Sequence, residues 1–283
     1  MVVRTYGSVF AVAMLLMPRE AAAEPAPIPN PSASPEAAAS DPCAALSSLV
    51  SRPTFSTAAC AVKRGDLLLE NGYTNLVSSG AGASALVTFP QTNMRVGLGR
   101  NVEFDLNPPS LGYLSGAPRR VGITDGALGF KYEIGYSSRL LYGINALYTL
   151  PVGSPDVFSS NGDGILVNLN GALTLSPAIG LSATVGYNAQ NGGTLAAPAR
   201  YHDFQPSLGA SVSLPQSISV FAEAFDQSAT APGLGGRFGY DTGFEKDVGS
   251  RLQLDFNYFD YFAVQNGQHQ HSLGFGASYL IGP

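Results

Sequence analysis

The sequence predicts an all-β protein: an antiparallel transmembrane β-barrel of about 12 strands, with both termini on the periplasmic side. Apolar and polar side chains alternate with a period of two from Asp66 onward, as in strands that face two different environments. Most alternating segments hold about ten residues, the length that a tilted strand needs to cross a bilayer. Tight turns alternate with longer loops rich in Gly, Pro and Asn, which is typical of outer-membrane barrels.

The alternation defines the individual strands. Strands are predicted at 66–75, 84–98, 102–107, 125–134, 139–149, 164–174, 179–188, 202–214, 218–226, 236–246, 251–260 and 270–281. The longer loops are 76–83, 108–124, 150–163, 189–201, 227–235 and 261–269. A soluble β-sandwich also alternates, but nothing requires its loops to alternate in length. An even strand number returns the chain to the side where it began.

The composition excludes two classes of protein. The 283-residue chain is 45% hydrophobic and 12% charged, whereas disordered chains combine low hydrophobicity with high net charge. Its 15 basic and 20 acidic residues give a formal charge of −5, and a nucleic-acid-binding protein needs a basic face. We therefore expect no nucleic-acid partner.

The first 42 residues predict export. Residues 1–23 are predicted to be a signal peptide. Arg4 is its basic region, residues 7–18 are its apolar stretch, and residues 21–23 form a small-residue cleavage site. The apolar stretch is too short to span a bilayer, which disfavours the alternative of a retained anchor. Residues 24–42 are rich in Pro and Ala and predict a flexible leader. The expected location is the outer membrane.

The two cysteines predict a closed loop ahead of the barrel. Cys43 and Cys60 form an even pair in an exported chain, which is consistent with one disulfide; two free thiols are the alternative. Residues 43–65 are therefore a Cys-bracketed periplasmic segment, or a plug that folds inside the barrel. The barrel itself is assigned to 66–281.

The charged residues indicate which face of each strand turns inward. They fall on the phase opposite the aromatic and aliphatic residues, and an Arg or Lys facing lipid at mid-depth costs about 2–4 kcal/mol. The predicted lumen-lining or binding residues are Glu70, Glu103, Asp105, Lys131, Glu133, Glu223, Arg251 and Asp255. These groups either line a water-filled path or pair with one another to fill a narrow barrel.

Motifs for catalysis or metal binding are weak. His269 and His271 share a strand face, but no acidic or Cys neighbour stands at ligand spacing, so a solvated pair is favoured. His202 has no obvious Ser partner for a lipid hydrolase. We predict no catalytic residue, no metal and no cofactor, and hence no enzyme.

The segment 52–74 resembles the opening of the bacterial outer-membrane barrels named for the phenol-degradation meta-pathway. The matching residues are Arg52, Pro53, Phe55, Ser56, Gly65, Leu67, Leu69, Glu70, Gly72 and Tyr73. Shorter matches follow at 95–98, 102–104 and 129–132. The chain departs from that family in ending at Pro283 without a terminal aromatic residue.

The resemblance implies an outer-membrane channel or transporter that passes or binds small apolar or aromatic compounds. Its expected partners are outer-membrane lipids, the barrel-assembly machinery and a small-molecule solute, and the expected state is a monomer. Two alternatives stay open: an outer-membrane lipid hydrolase, and a non-conducting structural or adhesive barrel.

Overall fold

The structure, a computed structural model, describes residues 41–79, 83–116, 118–137, 139–155, 157–263 and 269–282. The predicted signal peptide and nearly all of the predicted leader lie outside this range. The strands are β1 (Leu67–Ser78), β2 (Ser84–Gly97), β3 (Val102–Asn107), β4 (Leu111–Ser115), β5 (Arg120–Ile123), β6 (Gly126–Tyr136), β7 (Leu140–Leu150), β8 (Gly164–Ser176), β9 (Ile179–Asn191), β10 (Arg200–Leu214), β11 (Ile218–Gln227), β12 (Arg237–Val248), β13 (Leu252–Ala263) and β14 (His269–Ile281). One short helix, α1 (Leu46–Leu49), and 3₁₀ turns at Pro42–Ala44 and Pro215–Ser217 are also described.

The strands close into one antiparallel barrel. Each strand from β6 to β14 pairs with the next, and β14 pairs with β1 along twelve residues of β1, from Leu67 opposite Ile281 to Ser78 opposite Gln270. No helix among the described residues is long and apolar enough to cross a bilayer.

Two of the barrel strands are interrupted. β3 and β4 lie end to end along β2, which pairs through Met94–Gly97 with β3 and through Ala85–Phe89 with β4. β5 pairs with β4, and β6 pairs with β3, so β5 and β6 likewise form one broken strand. The break follows Asn107, where Pro108 and Pro109 can donate no ladder hydrogen bond. The barrel therefore has 12 strands, as predicted, but the predicted loop 108–124 was wrong because it contains β4 and β5.

The outer surface of the barrel is apolar. Its exposed side chains include Phe130 (52% exposed), Val185, Leu208 and Phe275 (56% exposed), and they alternate with buried polar residues on the same strands. A closed barrel satisfies its backbone hydrogen bonds within the sheet and can present such a surface to lipid. This arrangement confirms the predicted orientation of the apolar face.

The two ends of the barrel differ. Turns at 98–101, 177–178, 215–217 and 249–251 lie at one end, called here the short-turn end, and the longer connections at 192–199 and 228–236 lie at the other, called the long-loop end. β1 starts and β14 finishes at the short-turn end. That this end faces the periplasm stays a prediction.

Residues 41–65, called here the inner segment, precede β1. A disulfide joins Cys43 to Cys60, 17 residues apart. The segment supplies most of a small buried apolar cluster that reaches the barrel at Leu68 and Leu141. Outside this cluster the segment contacts inward-facing polar side chains such as Glu223 and Asp255, and its Phe55 contacts Phe225.

Candidate functional site in the barrel lumen

Inward carboxylates accept hydrogen bonds from the backbone of the inner segment. Glu70 Oε1 lies 2.6 Å from Ser51 N, and Glu103 Oε2 lies 2.5 Å from Val62 N. Glu133 Oε2 accepts from Ala61 N at 3.3 Å. A coil segment inside a barrel has N–H groups that no strand satisfies, and buried donors without partners are costly. These carboxylates therefore serve as acceptors for the segment.

Glu223 holds the middle of the inner segment. Its carboxylate accepts hydrogen bonds from Phe55 N at 2.8 Å, from Ser56 N at 3.1 Å and from Ser56 Oγ. Nearby, Arg52 Nη2 of the segment lies 3.4 Å from Asp255 Oδ1 on β13. The segment is thus fastened to β11 and β13 as well as to β1, β3 and β6.

A buried ion cluster fills the other side of the lumen. Arg95, which has no exposed surface, lies 2.8 Å from Glu103, 3.6 Å from Glu70 and 3.8 Å from Asp105. Lys131 Nζ lies 3.2 Å from Glu103 Oε1. We call these five residues the Arg95 cluster. Such a desolvated set is stable only when every charge keeps its partners.

Arg95 also binds the inner segment directly. Its Nη1 donates to the carbonyl oxygen of Leu49, and its Nη2 donates to that of Cys60 at 3.1 Å. One guanidinium therefore joins three barrel carboxylates to two points of the disulfide loop, Leu49 and Cys60. Arg has the rigid, multi-donor geometry that this arrangement requires.

Seven of the eight predicted lumen residues are buried. Glu70, Glu103, Asp105 and Lys131 belong to the Arg95 cluster, while Glu133, Glu223 and Asp255 contact the inner segment. Arg251 does not join them, because β13 starts at Leu252 and Arg251 is exposed in the preceding turn.

The lumen also contains aromatic rings that the sequence analysis did not identify. Phe55 of the inner segment stacks on Phe225 with ring centroids 4.2 Å apart. Phe225 meets Phe259 and Tyr261 edge to face at 5.9 and 5.5 Å. Arg237 lies over the Tyr261 ring, 4.3 Å from its centroid. We call the four rings the aromatic cluster; it extends from the inner segment towards the long-loop end.

A cavity of about 420 Å³ lies between the inner segment and the strands opposite the Arg95 cluster. Its walls carry mostly small side chains, among them Ala172, Ser182 and Gly209, with Phe221, Glu223 and Glu245 on one side. We call it the side cavity. A second cavity, of about 830 Å³, lies near Asp41, Lys63 and Arg100 at the short-turn end.

Within the described residues, no histidine belongs to a group of three converging possible metal ligands. Within the described residues, the one convergent set of three possible ligands is Cys43, Cys60 and Glu133, and its cysteines form the disulfide. His202 Nδ1 lies 2.7 Å from Tyr187 Oη on the barrel exterior, which is not the Ser contact of a hydrolase. His269 contacts Asp260.

Comparison with solved structures finds similar outer-membrane barrels. An outer membrane channel from Pseudomonas putida F1 has a TM-score of 0.62 and 12% sequence identity, over 79% of this chain and 98% of that one. The NanC porin has a TM-score of 0.51 and 12% identity, over 75% of this chain and 98% of its own. No protein-family model matches the sequence, and comparison with curated proteins finds no relative.

These likenesses establish the fold. A closed 12-stranded barrel with an apolar exterior is an outer-membrane protein, because only such closure satisfies strand backbones within a bilayer. The outer-membrane location predicted from the sequence is confirmed.

Proposed function

We propose that this protein is an outer-membrane channel that passes or binds small organic compounds, chiefly apolar or aromatic ones. The observation that carries the proposal is the aromatic cluster, which lies inside the barrel beside buried polar groups such as Glu223 and Asp241. Aromatic rings offer stacking and edge-to-face contacts to ring-containing solutes, worth about 0.5–1.5 kcal/mol per pair. The fold of the Pseudomonas putida F1 channel supports a conducting barrel.

In this proposal the inner segment is a plug that narrows the lumen without sealing it. It occupies the space between the Arg95 cluster and Glu223, while the side cavity leaves room beside it. Solute enters at the long-loop end, contacts the aromatic cluster and leaves past the side cavity into the periplasm. The disulfide keeps the plug compact. The resemblance to the phenol-degradation meta-pathway barrels supports an aromatic solute.

Uptake assays test the proposal. Cells with and without the protein are compared for uptake of aromatic compounds at low concentration, and expression is expected to raise the rate. Phe225→Leu keeps the lumen apolar but removes a ring, and we expect it to lower uptake about two- to tenfold. Phe130→Leu, on the lipid-facing surface, is the matched control. Uptake that does not depend on the protein contradicts the proposal.

A sealed structural barrel is the second candidate, because the plug is held by many contacts on both sides of the lumen. Planar-bilayer recording distinguishes the two candidates. A channel gives stepwise K⁺ current, and Glu103→Gln alters that current only if the plug region controls a wet path. A reconstituted protein that folds correctly but carries no current favours the sealed barrel.

A further inference from the structure

Rings and carboxylates alternate along one lumen wall, formed by β11 and β12. On β11 the inward residues are Phe221, Glu223 and Phe225, each two positions from the next. Successive inward side chains on a strand lie about 6.6 Å apart. On β12, Asp241 lies opposite Glu223, and Glu245 lies opposite Ser219. We call this surface the β11–β12 wall.

The carboxyl groups of this wall lack basic partners. Asp241 has no exposed surface, and neither of its carboxylate oxygens has a hydrogen-bond partner among the described residues. Within that part of the chain, no basic side chain lies within 4.0 Å of a carboxylate oxygen of Glu223, Asp241 or Glu245. An ionised carboxylate in a low-dielectric setting is strongly destabilised without a counter-charge. The wall is therefore suited to a cation that the protein itself does not supply.

The spacing disfavours a bare metal ion. A metal ion needs three or more ligand atoms that converge on it, and no three carboxylates of this wall bring such atoms within 4.8 Å of one another. An organic ammonium group is larger and pairs with carboxylates one or two at a time. It also binds the face of an aromatic ring, which Phe221 provides beside Glu223 and Glu245.

We propose that the β11–β12 wall binds small aromatic cations, with Phe221 contacting the ring and Glu223 and Glu245 pairing with the ammonium group. The side cavity, lined by Phe221, Glu223 and Glu245, gives the space for the ligand. Drug-sized sites start at about 300 Å³, so about 420 Å³ accommodates one substituted ring. The inference rests on the proposed function and narrows its solute class to aromatic amines.

Binding to the purified full chain in detergent tests this inference. The probes are benzyltrimethylammonium, tetramethylammonium, benzenesulfonate and the neutral phenyl glucoside, measured by calorimetry. We expect benzyltrimethylammonium to bind at least about tenfold more tightly than the other three, because only it offers both ring and charge. Glu245→Gln is expected to weaken it about tenfold. Asp163→Asn, an exposed acid of the long-loop end, is the control.

Three outcomes overturn the inference: equal affinity for benzenesulfonate, no change in the Glu245→Gln variant, or Ca²⁺ binding that displaces the organic cation completely. Flux of the same probes into proteoliposomes separates this failure from failure of the proposed function. If phenyl glucoside enters the proteoliposomes and benzyltrimethylammonium enters no faster, the proposed channel function is supported and the proposed charge selectivity is wrong. If benzyltrimethylammonium binds but no aromatic probe enters, the binding site is supported and the proposed transport function is wrong.

Discussion

Ser56 Oγ of the inner segment lies 2.7 Å from Ser207 Oγ on β10, and both side chains are buried. This contact lies on the opposite side of the lumen from Arg95 on β2, which holds the same segment through Leu49 and Cys60. The segment therefore bridges the barrel rather than following one wall. Movement of the whole segment would break contacts on both sides at once.

A cross-link at the serine pair tests whether the segment moves during transport. Two cysteines at Ser56→Cys and Ser207→Cys are close enough for a disulfide, given side-chain oxygens 2.7 Å apart. Because solute is proposed to pass beside the segment, we expect the oxidised double variant to keep its single-channel conductance. Ser207→Cys alone is the control, and peptide mapping verifies that Cys43 still pairs with Cys60. Loss of current only in the cross-linked protein would mean that the segment must leave its place.

Among the charged residues, Arg95 is expected to contribute most to the stability of the folded barrel. Arg95→Met leaves Glu70, Glu103 and Asp105 short of their main partner, and breaking a buried ion pair costs about 3–5 kcal/mol. We expect a large fall in the denaturant midpoint of the detergent-purified barrel. Arg100→Met, in an exposed turn, should change stability by less than about 0.5 kcal/mol. Equal midpoints for the two variants would show that the Arg95 cluster contributes little.

The sequence could predict the barrel because the lipid face imposes a strict period of two on every strand. It could also place Glu103 inward, since Phe104 must face lipid. The same logic applies to Arg95, which lies between Met94 and Val96, and to Phe225, which shares the phase of Glu223. The inward position of Phe225 was missed because aromatic residues were assumed to face lipid. Periodicity shows which residues share a face of a strand, but it does not show which side chains contact one another inside the lumen.

Other features follow from long-range contacts that periodicity does not encode. No local pattern indicates that Ser51 and Val62 donate to Glu70 and Glu103, since these partners come together only when the barrel closes. The β4–β5 hairpin was missed because Pro108, Gly112 and Gly116 are typical of loops. Pairing with β2 overrides that local preference.

Glu223 should control the local stability of the inner segment. Glu223→Ala removes the acceptor of Phe55 N and Ser56 N, while Glu223→Gln keeps one acceptor oxygen. We expect amide hydrogen exchange of residues 54–57 to accelerate strongly in the Ala variant and modestly in the Gln variant, because opening costs less once the acceptor is gone. Unchanged exchange in both variants would contradict this role.

The conformation of the loop between β7 and β8 is expected to require two glycines of the β4–β5 hairpin. Gly112 and Gly122 are directly paired, and a Cβ atom at either one would lie 2.5 Å from the Phe158 ring. Gly122→Ala should therefore displace Phe158. We expect this to expose the backbone N–H groups of Gly153 and Ser160, which donate hydrogen bonds to the Asp125 carboxylate. Hydrogen exchange over 151–163 measures this.

A matched glycine substitution serves as the control for that experiment. A Cβ atom at Gly99 would meet only Val102, at 4.0 Å, so Gly99→Ala should leave exchange in the loop unchanged. If Gly122→Ala behaves like Gly99→Ala, the Phe158 contact does not hold the loop.

The ion pair at the start of the inner segment predicts a small effect confined to acidic pH. A hydrogen bond from Lys63 Nζ, 2.8 Å away, together with one from Cys43 N, holds the pKa of Asp41 below its usual value of 3.8. Because the folded-state pKa is lowered, the stabilisation is present above about pH 3.8 and is lost as the pH falls through the folded-state value. Both side chains are substantially exposed, so the pair contributes no more than about 1 kcal/mol. Asp41→Asn should lower the thermal midpoint slightly at pH 7 and leave it unchanged at pH 3. A larger fall in the midpoint at pH 3 than at pH 7 would contradict this prediction.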